Sequence, residues 1–146
     1  MRGPSPLNQF KNLGVSLGKI TVPFGGKTEQ EKSHPGVDIA NAEGTPIHSP
    51  VNGVVIVADA SHKNGENNFG NTIELRDQEG NVHQFHHLGK VMASRGKTVR
   101  EGQVIATMGK TGAAYSPSGS DPSNLDYRIV SKAKKYLNPG PFLPKL

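Results

Sequence analysis

The sequence predicts an all-β chain, a single domain of short antiparallel strands arranged as a sandwich or half-open barrel. Three observations carry that expectation. Eighteen glycines and eleven prolines are spread along the 146 residues. Long helices tolerate such a frequency badly, whereas short strands joined by turns accept it. The apolar residues fall in runs of strand length, bounded by Gly, Pro, Asn, Asp or Ser. Finally, NTIELRD (71–77) and VHQFHHL (82–88) are joined by QEGN, the pattern of a hairpin.

Each element follows from the local chemistry. Residues 1–17 are polar and carry Pro and Gly, and read as an arm. GKITVPFGG (18–26) is a short strand stopped by Pro23 and a Gly pair, and GVDIA (36–40) is a second strand. GTPIHSP (44–50) is a turn feeding an edge. GVVIVAD (53–59) is a continuous apolar run of strand length, which predicts a central strand. A polar loop (61–70) precedes the hairpin, and 96–112 reads as a turn followed by a strand at 103–108. AAYSPSGSDPS (113–123) is a loop of small residues. In NLDYRIV (124–130), Leu125, Tyr127 and Ile129 alternate with Asn124, Asp126 and Arg128, so one face is apolar and the other polar. A Lys-rich turn and an extended tail close the chain. No internal repeat or linker appears, so one domain is expected over 18–140, with a tail over 141–146.

Composition excludes several classes. There is no cysteine, hence no disulfide and no thiolate metal site. Nowhere do 18 apolar residues run together, so no membrane span is expected. The first residues lack the apolar run of a signal peptide, which leaves the route of export open. Seventeen Lys and Arg against twelve Asp and Glu give a net charge of +5. That excess suits polyanionic surroundings but is scattered. With few aromatic residues and no basic–aromatic interleaving, nucleic-acid binding is not expected.

Two stretches carry chemistry. In HPGVDIA, Pro35 and Gly36 disfavour a helix, so His34 sits on a loop and Asp38 on the strand that follows. An imidazole and a carboxylate converging in this way suit Zn²⁺, and the same spacing also suits a surface His beside a salt-bridged Asp. In VHQFHHL, strict alternation would put His83, Phe85 and His87 on one face and Gln84, His86 and Leu88 on the other. Three His in five residues read either as a polar strand face or as a proton-transfer or metal site.

Taken in order, VPFG, HPGVDIANAEGTPIHSPVNGVVIVA, GNTIELRD, FHHLGKV, GKTVREGQVIATMGKTG and NLDYRIV resemble the M23 family of metallopeptidases, the lysostaphin/LytM-type peptidoglycan endopeptidases. The resemblance spans roughly residues 18–140. It implies the family's open β fold, a cell-wall setting outside the cytoplasm, and a divalent-metal site. By resemblance His34 and Asp38 are the first two zinc ligands of the family's His-x-x-x-Asp motif. Phe85-His86-His87-Leu88 stands for its Tyr-x-His-Leu motif, which places a catalytic role on His87. The family's closing His-x-His reads Asn124-Leu125-Asp126 here. Its first His assists catalysis and its second is the third zinc ligand, so Asn124 and Asp126 inherit those places.

These two departures have chemical consequences. Asp126 can still ligate, but two carboxylates on one Zn²⁺ weaken its Lewis acidity and open the site to harder divalent metals. Weak zinc binding follows. Asn124 can donate a hydrogen bond but cannot move a proton, and loss of a general acid–base group commonly costs ~10²–10⁴ in rate. On strict alternation His83, two residues before His87, is a candidate second imidazole. Three functional expectations result. The first is a degenerate domain that binds peptidoglycan or a protein partner. The second is a metal-dependent peptidoglycan hydrolase using His34, Asp38, Asp126 and His87. The third is a structural part of a phage tail, virion or injection-type secretion assembly.

Overall fold

The structure is a computed structural model, and it describes residues 18–26, 33–114 and 122–142. The expected arm, most of the 113–123 loop and the last four residues of the tail lie outside the described residues. Ten strands form the described part: β1 (Lys19–Val22), β2 (Gly36–Ala40), β3 (Pro46–His48), β4 (Gly53–Asp59), β5 (Asn71–Asp77), β6 (Val82–Val91), β7 (Thr98–Val99), β8 (Val104–Met108), β9 (Asn124–Val130) and β10 (Tyr136–Leu137). A single 3₁₀ turn, Gly140–Phe142, follows. The main sheet runs β1-β2-β9-β6-β5-β4-β7, with β3 and β8 branching from β6, and β10 pairing β9. Every one of these strand pairings is antiparallel. The sheet does not close, so the half-open form of the all-β fold is the one adopted. No helix among the described residues is long and apolar enough to cross a membrane.

Strand β9 comes late in the chain yet inserts between β2 and β6. Its alternation explains why. Leu125, Tyr127 and Ile129 are at most 1% exposed and enter the core with Val37, Ile39, Phe85 and Leu75. Burying such a face removes apolar area from water at about 25 cal/mol per Å², and this is what drives so non-local a pairing. The polar face of β9 is buried as well, with Asp126 and Arg128 each 4% exposed.

Three expectations are corrected by the structure. The apolar run of β4 does not mark a central strand. β4 lies next to the two-residue edge strand β7, and of its seven residues only Val55 is fully buried. A bulge between Val55 and Val57 interrupts the strand's register with β5. The Lys-rich segment carries a short strand, β10, paired with Ile129 and Val130, and the start of the tail is not extended: Gly140–Phe142 forms a 3₁₀ turn and Phe142 packs edge-on against His83 at 5.2 Å.

The third correction concerns β6. Phe85 pairs with Ile73 while Leu88 pairs with Asn71, so His86 and His87 together oppose the single residue Thr72. His87 has φ 63°, a left-handed conformation that is uncommon for a non-glycine residue. This is a β-bulge, and it breaks strict alternation at His87, after the regular register that holds His83 to His86. Beyond the bulge β6 leaves β9 and pairs with β8, Leu88 with Met108 and Val91 with Ala106. The loop 61–70 is drawn against 109–113 by Gly65 N–H to Gly112 O (3.0 Å) and Ala113 N–H to Asn68 O (2.8 Å). Gly70 (φ 70°) permits this, because a Cβ there would meet the Thr111 hydroxyl oxygen at 2.5 Å.

Candidate functional site

The register of β2, β9 and β6 assembles the site. Asp38 pairs with Asp126, and Asp126 pairs on its other side with His86. Directly opposed residues share a face, so two carboxylates and an imidazole line up across three strands. His34 reaches the same place from the loop before β2. That loop is pinned by two backbone bonds, Gly25 N–H to His34 O (2.8 Å) and His34 N–H to Gly26 O (2.7 Å). His34 is 2% exposed, and its Nε2–H donates to Asp38 Oδ1 at 2.9 Å. His34, Asp38 and Asp126 each offer a ligand atom within 4.8 Å of the others.

Asp126 has a partner of its own. Arg128, two residues on along the same face, donates from Nε to Oδ1 and from a terminal nitrogen to Oδ2, both at 2.9 Å. This is a bidentate, charge-assisted pair. The guanidinium lies 4.7 Å from the centre of the Phe69 ring, which in turn stacks on His86 at 4.5 Å. His86 Nδ1 bonds the Thr72 hydroxyl at 2.9 Å. Burial pushes its pKa down to about 4, with Asp126 opposing the shift and Arg128 reinforcing it. His86 is therefore a neutral ring at neutral pH.

The other sequence-singled residues separate. His87 lies at the bulge, 8% exposed, where its Nδ1–H donates to the Thr111 carbonyl at 2.8 Å and the Nε2 lone pair is left as the acceptor. Asn124 precedes Asp126 by two residues on the polar face, half-buried, and its Nδ2 donates to Pro122 O at 2.7 Å. His83 is not brought to the cluster. It pairs with Leu75 and Ile129 on the core face, fully buried, between Tyr127 Oη (2.7 Å) and Asp77 Oδ2 (2.9 Å). Its two ring nitrogens are spent on that structural bridge, so it does not stand in for the imidazole missing at position 124. His86 keeps the face that alternation gave it with Gln84, and that face, not the one of His83 and Phe85, lies opposite Asp126 and Arg128.

Geometrically, His34, Asp38 and Asp126 are close enough to share one cation. As the side chains stand, they do not fit a zinc peptidase centre. Both oxygens of Asp126 are held by a guanidinium that cannot lose its charge. A dication placed there would meet that fixed positive charge at close range in a buried site. What the sequence reading missed is that the face of Gln84 and His86, not that of His83 and Phe85, carries the site, and that Arg128 on the face of Asp126 is its partner. The signal for Arg128 was present, an acid and a base at i, i+2 on one strand face.

Comparisons place this architecture. A profile of Peptidase family M23 matches residues 32–139. The chain is 30% identical over 109 residues to the lipoprotein YgeR of Escherichia coli K12, covering 75% of this chain and 41% of YgeR. It is 29% identical over 128 residues to the murein hydrolase activator NlpD of the same organism, covering 88% of this chain and 30% of NlpD. It thus spans less than half the length of either relative. Among solved structures, the antimicrobial peptidase lysostaphin from Staphylococcus simulans aligns with a TM-score of 0.67 at 26% identity, over 86% of this chain and 49% of that one. With the matched segment spanning β2 to β10 and the sheet order that brings His34, Asp38 and Asp126 together, the chain belongs to Peptidase family M23.

Proposed function

We propose that this domain is a catalytically degenerate M23 domain that acts at the cell wall by binding, to peptidoglycan or to a protein partner, without cutting. The observation that carries the reading is Asn124. At the position where the family's proton-transfer imidazole would stand there is an amide, turned onto the Pro122 carbonyl. An amide neither takes nor gives a proton. His83, the nearest substitute by spacing, is committed to Tyr127 and Asp77. The likeness to NlpD, named as a murein hydrolase activator, fits a domain that works on a partner. An extracytoplasmic location follows from the same reading, and the domain boundaries at 18 and 140 go with it. Zinc, on this view, is held weakly or not at all.

The test is direct. Incubated with purified peptidoglycan, the protein is expected to co-sediment with the sacculi, or with a hydrolase added to them, and to release no soluble fragments above a heat-inactivated control. Metal-dependent release of fragments would overturn the reading.

One observation favours a second reading, that of an active metal-dependent hydrolase. The three prospective ligand atoms do converge within 4.8 Å, and His87 presents an Nε2 lone pair. On that reading His34, Asp38 and Asp126 would hold the metal, and His87 would carry the proton. Loss of fragment release on chelation, and in His87→Ala, would be its signature.

A further inference from the structure

We infer that Arg128 is a tethered counter-cation, and that the His34–Asp38–Asp126 cluster is a latent divalent-metal site kept closed by the chain's own guanidinium. The cluster has the spacing of a cation site, three donors within 4.8 Å. It also brings two carboxylates together across a strand pair, Asp38 directly opposite Asp126. Two buried or half-buried anions so placed require a compensating positive charge. A bound dication would supply it. Here Arg128 does so, taking both oxygens of Asp126 at 2.9 Å.

The fold is shaped to keep Arg128 in that position. Gly36, opposite Arg128 on β2, has no side chain, and a Cβ there would lie 2.6 Å from Arg128 Cγ as well as striking the Tyr127 carbonyl. The arginine stem thus lies across bare backbone. On its outer side the Phe69 ring covers the guanidinium at 4.7 Å, a cation–π contact that favours charge. Phe69 is itself stacked on His86 at 4.5 Å, which fixes the ring over the guanidinium. The cation is held in the plane by Asp126, from the side by Phe69 and along its stem by Gly36. Exchanging Asp126 for His would therefore not by itself build a metal site, because it would strand a buried guanidinium.

The inference rests on the degenerate reading, and the two fail separately. Fragment release tests that reading, and metal binding tests this inference. The probe is Zn²⁺ alone, with Mn²⁺ as a harder ion, titrated by calorimetry and equilibrium dialysis into the intact chain. The parent is expected to bind neither ion stoichiometrically. Arg128→Gln should tighten Zn²⁺ by about tenfold or more, since the repelling charge is gone and both carboxylates are freed. Arg128→Lys, which keeps the charge, should stay near the parent. Adding Asp126→Asn to Arg128→Gln should abolish the gain. A parent that binds Zn²⁺ as tightly as Arg128→Gln overturns the inference. So does a gain that survives Asp126→Asn. If Arg128→Gln is unfolded alone, recovery of its β circular dichroism on adding Zn²⁺ supports the inference. If no recovery occurs, Arg128→Lys decides: a folded Lys variant with parent-like refusal of Zn²⁺ upholds it, and one that gains Zn²⁺ overturns it.

Discussion

Two clusters in this molecule set an imidazole among carboxylates, and they are built oppositely. In the loop after β4, His62 lies between Asp59 (Nε2 to Oδ2, 3.0 Å) and Glu66 (Nδ1 to Oε1, 3.0 Å), with much of all three side chains open to water. There the imidazole itself is the cation. Its pKa is raised above 6.5, first by the hydrogen bond to Glu66, against a smaller cost of burial. Asp59 is lowered, chiefly by Ser61, and Glu66 chiefly by the Lys63 amide. In the cluster between β2, β9 and β6, the imidazole of His86 is held neutral and a permanent cation, Arg128, balances Asp126. The difference teaches that exposed carboxylates can be matched by a group that titrates, because water shares the load. Buried ones need a charge that never leaves.

The largest expected effect separates the two. Asp126→Ala leaves the Arg128 guanidinium buried without its carboxylate, a change that costs about 3–5 kcal/mol. Glu66→Ala, at an exposed pair, should scarcely move stability. Urea unfolding of both variants measures the contrast, and equal losses would erase the distinction drawn here.

Acid should sharpen it next. The folded pKa of His86, about 4, lies below its ordinary 6.5, so between those values the unfolded chain binds the extra proton. The fold is then destabilised as pH drops from about 6.5, and this effect is complete below about 4, at roughly 3 kcal/mol from 1.36 kcal/mol per pH unit. His86→Gln should remove this share of the acid sensitivity. The difference between the two stability–pH curves isolates it from protonation of Asp126 itself.

A smaller effect is expected at Phe69, which is 48% exposed. Phe69→Ala uncovers the guanidinium and should cost about 1 kcal/mol, while Phe69→Tyr should restore it. A loss in the Tyr variant equal to that in the Ala variant would mean that the ring does not act through its face.

The smallest effect belongs to the exposed cluster, and its sign is opposite. His62 has a raised folded pKa, so its contribution is fully present below 6.5 and disappears as pH rises through the raised value. Asp59 and Glu66 are lowered, so their contributions are present above their ordinary 3.8 and 4.5 and disappear as pH falls through the lowered values. The cluster is most stabilising between those limits. His62→Gln should flatten the alkaline side of a melting-temperature profile, and added salt should weaken the parent's slope. A parent profile unchanged by the substitution would show that the loop does not use this cation.

Much of this was written in local sequence. The all-β class follows from glycine and proline spread through strand-length runs, and β9 was legible residue by residue, because an apolar face at Leu125, Tyr127 and Ile129 has only one side on which to be buried. The segment order carried the family, and the resemblance it implied named His34, Asp38 and Asp126, which the fold brings within 4.8 Å. Tertiary structure alone decided the rest. Period-two reasoning holds only while a strand stays regular: His83 and His86 keep the opposite faces that alternation gave them, His83 in the core and His86 at the site, and the bulge opposite Thr72 breaks the period at His87. The apolar run of β4 could not reveal that its outer neighbour is a two-residue edge strand. Nor could composition say which cation answers Asp126. An arginine two residues away reads on paper as one more solvated charge. Only burial at 4%, a glycine opposite and an aromatic ring above make it the partner that closes the site, because outside water a carboxylate must find its counter-charge within reach.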